Sequence, residues 1–299
     1  MNKIGSKKKD VSIVIPSKNE EKNIGKCLDI IYKQDTSYSF EVIVIDSGSK
    51  DRTIDIVKEF SKVKMIKIKP EAFAHGKTRN LGAQISKGDF IIYLNADALP
   101  VNKNWLNPLI DEMKKDMNIA GTFSRHIPKE NCYLYMVRDL LKSMPAKRIE
   151  KGRAKKFDYM LFSTVSSAIR REIWEQYHFK DKIIIAEDQD WAKRILSKGL
   201  KIIYEPNSIV YHSHNYSLKE LFEIKFNVGQ SYNRFNNKFS AMFIGFFLMI
   251  GGVIIKVFGD FWFIVTKRIS FYKKIKEIKI SLFSRIVSFL GRYMGWINS

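Results

Sequence analysis

Acidic side chains stand at several points where chemistry could be done: Asp46, Asp97, and the run Ala186-Glu187-Asp188-Gln189-Asp190-Trp191. A carboxylate can accept hydrogen bonds from a base N–H or a ribose hydroxyl. It can also hold a divalent cation that bridges phosphate oxygens. Three carboxylates within four residues repel one another, which tends to raise one pKa toward that of a useful base. The plainer alternative is that they complement the dipole of a helix start, and Asp190 fits that role. A lone Asp after a strand, such as Asp46, is also a common turn former. In Tyr211-His212-Ser213-His214 the two imidazoles sit at i and i+2, so in extended chain they point the same way. Each is either a structural histidine or a ligand. Arg79 could pair with a phosphate or with a helix neighbour. His75 could contact a ligand or simply shape the turn before Gly76.

These residues need a scaffold, and the hydrophobic pattern supplies one. Residues 11–15 (VSIVI), 41–45 (EVIVI) and 90–94 (FIIYL) read as buried strands, and 64–68 as an alternating one. Helical patterns separate them: one opening at Asn19-Glu20-Glu21 and running through Ile24, Leu28 and Ile31, then 53–60, then 76–86. A helix over 191–197 with Gly199 as its C-cap, and a strand at 202–204 or 209–211, complete the reading. Strand and helix in alternation with short links predict an α/β fold with a mostly parallel sheet. Ligands of such sheets bind outside the carboxyl ends of the strands. The segments there are Pro16-Ser17-Lys18-Asn19-Glu20, Asp46-Ser47-Gly48-Ser49 and Asn95-Ala96-Asp97-Ala98. None is GxGxxG or GxxxxGK[ST], so neither a dinucleotide fingerprint nor a P-loop is present.

The chain has 299 residues, of which 45% are hydrophobic, enough for a sizeable core, and 28% are charged. Wholesale disorder is therefore not expected. Fifty-two Lys and Arg against 31 Asp and Glu leave a net charge of +21. Such a charge fits nucleic acid or an anionic membrane. The basic residues are spread along the chain without a stripe of interleaved aromatics, which argues against nucleic acid. Cys27 and Cys132 are too few and too far apart for a disulfide scaffold or a thiolate zinc site. The opening MNKIGSKKKD has no apolar h-region, so a secretory signal is not expected and a cytosolic body is.

Taken in order, VSIVIPSKNEEKNIGKCL, IDSGSKDRT and NADA resemble the nucleotide-binding half of a family-2 glycosyltransferase with the GT-A (Rossmann-like) fold. FAHGKTRNLGAQISKGDFIIYLNADALP is similar to the rhamnosyltransferase branch, where an HGxTRNxG stretch precedes the acidic motif. The likeness continues through TVSSAIRREIW, AEDQDWAKRILSKGLKIIYEPNSIVYHSHNYSLKELF and GRYMGW. It implies an inverting transfer of a sugar, rhamnose in this branch, from a nucleotide diphosphate such as dTDP-rhamnose to a lipid-linked or cell-surface glycan. It assigns nucleotide-sugar binding to Pro16, Ser17, Asn19, Glu20, Asp46, Ser47, Gly48, His75, Gly76, Arg79, Asn95 and Asp97. Mg²⁺ or Mn²⁺ is expected on Asp97, with His212 or His214 as a further metal or diphosphate contact. Asp188 matches the catalytic base, with Asp190 as second choice, and residues 102–156 would shape the acceptor side. One departure is that Asn95 replaces the first Asp of the family's Asp-x-Asp motif.

On this reading residues 1–10 are a basic tail, 11–235 the GT-A domain and 236–299 a helical region associating with the membrane. Residues 241–255 carry no charge, Lys256 and Asp260 interrupt, and apolar character resumes to Val265. Lys267, Arg268, Lys273, Lys274, Lys276 and Lys279 follow. An apolar helix with a polybasic flank predicts attachment to the cytoplasmic face of the cell membrane, interfacial or re-entrant. A single span and a helix packed in the core are the alternatives. A processive polysaccharide synthase would carry Q-x-x-R-W, but Gln230 and Arg234 are one residue too far apart and Phe235 replaces Trp. A non-catalytic sugar-nucleotide or nucleic-acid binder is the reading from another class.

Overall fold

The computed structural model describes residues 9–151, 160–183, 185–233 and 241–298, with side chains described outside 231–249. Most of the 1–10 tail, residues 152–156 of the expected acceptor side, Arg234, Phe235 and residues 236–240 lie outside the described residues. The chain divides into two compact units. The first comprises Met1–His126, Met144–Ile183 and Glu187–His212; the second comprises Ile127–Ser143, Ile184–Ala186 and Ser213–Ser299.

The first unit opens with β1 (Val11–Ser17), α1 (Ile24–Tyr32), β2 (Phe40–Asp46), α2 (Thr53–Lys58), β3 (Val63–Lys67), α3 (His75–Ile85) and β4 (Phe90–Leu94). The order β3-β2-β1-β4 is parallel throughout. β1 and β4 are buried along almost their whole length, which is why both read as continuous apolar runs. α1 turns Ile24, Leu28 and Ile31 inward onto the same core as Ile13, Ile15, Val42 and Val44.

The sheet then changes direction. β5 (Leu99–Pro100), α4 (Leu106–Lys115), β6 (Ile119–Ile127), β7 (Ile149–Lys151), β8 (Ser166–Arg170), α6 (Arg171–Gln176), α7 (Glu187–Ser197) and β9 (Lys201–Tyr211) follow, with α5 (Leu134–Ser143) in the second unit. β8 pairs antiparallel with both β4 and β6, and β9 pairs antiparallel with β5 and β7. The sheet is therefore mixed, not mostly parallel. A buried strand has the same residue pattern in either direction, so the pattern could not report this. β8 (SSAIR) is built of small and polar residues that signal a strand weakly. Its buried Ser166 hydroxyl accepts from the Trp105 indole N–H at 2.9 Å and meets Ser124 Oγ at 2.6 Å.

Three boundaries also differ from expectation. α1 begins at Ile24, not near Asn19, because Asn19 is held at φ +55°, outside the right-handed helical region, with the N–H groups of Asn19 and Glu20 donating to Ser49 Oγ (2.9 Å) and Thr53 Oγ1 (2.7 Å). α7 begins at Glu187, four residues before Trp191, so its three acids form the first helical turn. The two short strand candidates after Gly199 are one strand, β9, and Gly199 has the left-handed φ of +80° expected of a helix end.

The second unit is helical: α5, α8 (Leu218–Asn233), α9 (Ala241–Val265) and α10 (Phe271–Ile297). Among the described residues no helix is long and apolar enough to cross a membrane.

Candidate active site

Ser17 and Asp46 end adjacent parallel strands and are partners in register. The loops that follow are stitched to each other. Asn19, held at φ +55°, accepts the Lys50 N–H on its side-chain oxygen at 2.8 Å. Ser47 N–H donates to the Ser17 carbonyl at 3.0 Å, and Glu20 receives the Asn23 amide at 2.7 Å. Asp46 is buried, and its Oδ1 accepts the N–H groups of Gly48 and Ser49, both at 3.0 Å, while Oδ2 accepts the Ser49 hydroxyl. Asp46 thus acts as a turn former, and any ligand contact would add to that. Gly48 has φ +89°, and a Cβ there would lie 2.7 Å from Pro70 Cγ. Only glycine fits this turn without strain. Ser17 Oγ is buried with no hydrogen-bond partner among the described residues, at the strand end where a polar ligand would approach.

The second cluster forms around Arg79 on α3. Its Nη1 meets Glu187 Oε1 at 2.5 Å, with both side chains 5% exposed. Its Nη2 donates to Asn95 Oδ1 at 3.3 Å. Arg79 therefore links the segment after β4 to the first turn of α7. These contacts are the helix-neighbour role widened to two elements, and the Arg79 Nε is buried without a partner among the described residues. Gly76 is fixed by packing, since a Cβ would lie 2.8 Å from the Lys180 carbonyl. His75 keeps an exposed outer edge and packs edge-on to Phe73 with ring centroids 5.1 Å apart. The surrounding protein and then the Arg79 charge push its pKa down to about 4, with Asp188 pulling the other way.

The two acids proposed as bases stand in different surroundings. Asp190 is buried and doubly paired, with Lys180 Nζ at 2.9 Å and Arg194 Nε at 2.8 Å. It is a structural anchor. Asp188 forms no ion pair of its own among the described residues. It accepts the N–H groups of Thr164 (3.3 Å) and Gln189 (2.8 Å). Burial and then the neighbouring Glu187 charge push its pKa up to about 6, against the pull of Arg79 and the two N–H groups. A carboxylate at that value is suited to taking a proton near neutral pH. Gln189 ties the same 161–164 segment to α7 by accepting Leu161 N–H at 3.0 Å and donating to the Phe162 carbonyl.

Asp97 lies just past β4, buried, with its Oδ2 3.7 Å from His212 Nε2. That is too long for a hydrogen bond. It is within the reach of two ligands sharing one cation at about 2.1 Å each, so the pair fits a divalent metal. His126 packs edge-on to His212 with ring centroids 5.6 Å apart. Its Nε2 is buried without a partner among the described residues, and burial and then His212 push its pKa down to about 3, so it is neutral near pH 7. Sequence reading missed Glu187 as the partner of Arg79, and missed Gln189, Thr164 and His126. The contacts of Asp188 and Arg79 cross 24 and 108 positions of chain, and only the Glu-Asp pairing in AEDQDW hinted at them.

Comparison with known proteins identifies the family and the fold. Residues 12–178 match the model of Glycosyl transferase family 2. The chain is 31% identical over 225 residues to the O-antigen chain rhamnosyltransferase RfbN of Salmonella typhimurium, covering 73% of this chain and 71% of that one. It is 32% identical over 209 residues to WbaN of Salmonella anatum, also an O-antigen chain rhamnosyltransferase, covering 66% and 64%. Two solved structures share the fold. One is the mannosyltransferase PcManGT from Pyrobaculum calidifontis in complex with GDP-Man and Mn²⁺, with TM-score 0.58, 16% identity, and 97% of this chain and 74% of that one covered. The other is TarS of S. aureus in complex with UDP, with TM-score 0.57, 18% identity, and 97% and 90% covered. The chain belongs to glycosyl transferase family 2, related to rhamnosyltransferases, and it is a nucleotide-sugar-dependent glycosyltransferase.

Proposed function

We propose that this enzyme is an inverting transferase that moves rhamnose from dTDP-L-rhamnose to a lipid-linked or cell-surface glycan. The observation that carries the chemistry is Asp188, a carboxylate with no ion pair of its own among the described residues and a pKa of about 6. It is tied through Glu187 and Arg79 to the Asn95-Ala96-Asp97 segment. The choice of rhamnose rests on relatives whose names state that activity.

Asp188 takes the proton of the acceptor hydroxyl. The hydroxyl oxygen forms its bond to the anomeric carbon as the bond from that carbon to the diphosphate oxygen breaks on the opposite face. The nucleoside diphosphate leaves with the electron pair, and the anomeric configuration inverts. Asp97 and His212 would hold Mg²⁺ or Mn²⁺. When bound, the ion neutralises charge developing on the diphosphate. The nucleoside would lie over the β1 and β2 ends, against Pro16, Ser17, Asn19, Glu20, Ser47 and Gly48, with Asp46 shaping the loop beneath it.

A panel of sugar nucleotides, each assayed for metal-dependent release of its nucleoside diphosphate, tests this reading. dTDP-rhamnose should be turned over at least about tenfold faster than UDP- or GDP-sugars, a difference of ~1.4 kcal/mol in transition-state binding. Preference for a UDP- or GDP-sugar would overturn the choice of donor.

A further inference from the structure

The α9–α10 hairpin of the second unit buries both of its acids and exposes its hydrocarbon. On α9, Asp260 has no exposed surface. It accepts Arg138 Nη1 at 2.8 Å, Arg285 Nε at 2.8 Å and Ser281 Oγ at 2.7 Å. Arg285 also forms a two-pronged pair with Asp139 at 2.6 and 2.9 Å. Glu277 is turned inward and accepts the Leu134 N–H at 2.9 Å. Where α10 meets α8 the contact is through small residues. A Cβ on Gly291 would lie 2.7 Å from the Phe222 carbonyl, and one on Gly295 would run into the Phe226 carbonyl.

The outer faces are the reverse. Ile255 is 72% exposed and Phe258 64% on α9, and Tyr272 is 80% and Phe283 54% on α10. The exposed α10 residues Ile275, Leu282, Ile286 and Leu290 follow one another at helical spacing. Between α9 and α10 lies an apolar cleft of about 390 Å³, lined by Val253, Val257, Phe261, Ile278 and Leu282, with Ser281 as its polar member. A helix hairpin made for water would turn these faces the other way.

We propose that the exposed α9–α10 face is a docking surface for an anionic lipid bilayer, lying in the plane of its interface. Charge selects this occupant. Residues 240–299 carry nine Lys and Arg against two acids, and those acids are Asp260 and Glu277, both buried. The outward charges are therefore cations, among them Lys256, Arg268, Lys273, Lys276 and Lys279, all exposed. A second copy would set like charges against each other, whereas anionic headgroups complement them. Trp262 and Tyr272 supply aromatic rings of the kind that settle at headgroup level. Insertion in the interface needs no helix that crosses the bilayer, and among the described residues there is none.

Flotation of the full chain with vesicles tests the proposal, using phosphatidylcholine with about 30% phosphatidylglycerol in one arm and phosphatidylcholine alone in the other. The protein should float with the anionic vesicles, and about 1 M salt should release only part of it, because salt does not screen the apolar contribution. The double variant I255E/F258E should lower partitioning at least about tenfold, with its thermal melt and its turnover of a soluble acceptor unchanged. Replacing Lys273, Lys276 and Lys279 by Gln should cost about fivefold per residue on anionic vesicles and little on neutral ones. Wild-type protein that stays with the buffer, or I255E/F258E floating as well as wild type, would overturn the proposal. So would a dimer in sedimentation that I255E/F258E splits. None of these results would touch the glycosyltransferase reading, which the sugar-nucleotide panel tests separately.

Discussion

Arg79 on α3 and Glu187 at the start of α7 are 108 positions apart in the chain, and their side chains meet at 2.5 Å with each 5% exposed. The pair sets the electrostatics of the next residue. Asp188 feels Glu187 as a charge that raises its pKa and Arg79 as one that lowers it. Asn95 completes the group by offering Arg79 an acceptor without a third negative charge. An aspartate there would push Asp188 further up, which gives the departure from Asp-x-Asp a physical consequence.

Opposite signs are expected from the two halves of this pair. Glu187→Gln removes the raising charge and leaves Arg79 acting alone, so the acid limb of the kcat/KM profile should move to lower pH. Arg79→Met should move it to higher pH. Each variant leaves a buried charge without its partner and should lose about 3–5 kcal/mol of stability. Denaturant melts and pH–rate profiles check both. A shift of the same sign in the two variants would contradict the assignment.

Asp188→Asn should fold and bind donor, yet lose at least about 10²–10⁴-fold in kcat, the usual contribution of a general base. Asp190→Asn should act mainly through stability, because it loosens the contacts to Lys180 and Arg194. Single-turnover rates and melting curves of the two variants separate the roles. A dead Asp190→Asn with an unchanged melt, beside an active Asp188→Asn, would reverse them.

The raised pKa of Asp188 also has a stability consequence. The folded value, about 6, lies above the ordinary 3.8. The stabilisation it brings is therefore present below about pH 4 and is lost as pH rises through about 6. Asp188→Asn carries no such dependence. Relative to wild type, the variant should gain stability between about pH 4 and about pH 7.5, by on the order of 1 kcal/mol once partial solvent screening is allowed for. Urea melts at the two pH values measure this difference.

Asp97→Ala should abolish metal-dependent donor binding, since Asp97 is the carboxylate of its motif and lies against His212. Calorimetry with nucleoside diphosphate, with and without Mg²⁺ or Mn²⁺, should show the metal enhancement in wild type alone. Unchanged enhancement in the variant would remove Asp97 from the metal site. His212→Ala should weaken the enhancement without eliminating it, because a divalent ion leans chiefly on carboxylate and phosphate oxygens.

Much of this was legible in the residues alone. Continuous Val and Ile runs end at Ser17, Asp46 and Leu94, and the parallel half of the sheet follows from them because strands covered on both faces are the ones that bury such runs. The Asn95-Ala96-Asp97 segment was visible for the same local reason, since polar residues directly after a buried strand stand out, and AEDQDW was visible because it sets three carboxylates within four residues. Strand direction beyond β4 was not legible, because a period-two or all-apolar pattern is unchanged when the chain is reversed. Nor could spacing rank Asp188 over Asp190. The family resemblance put Asp188 first, and the structure adds the physical difference between the two through Lys180, Arg194 and Arg79, because Coulomb interactions depend on distance in space and not along the chain. The same holds for Asp260, which in sequence is only a charge interrupting an apolar helix. Folding buries it against Arg138, Ser281 and Arg285 and leaves Ile255 and Phe258 facing outward.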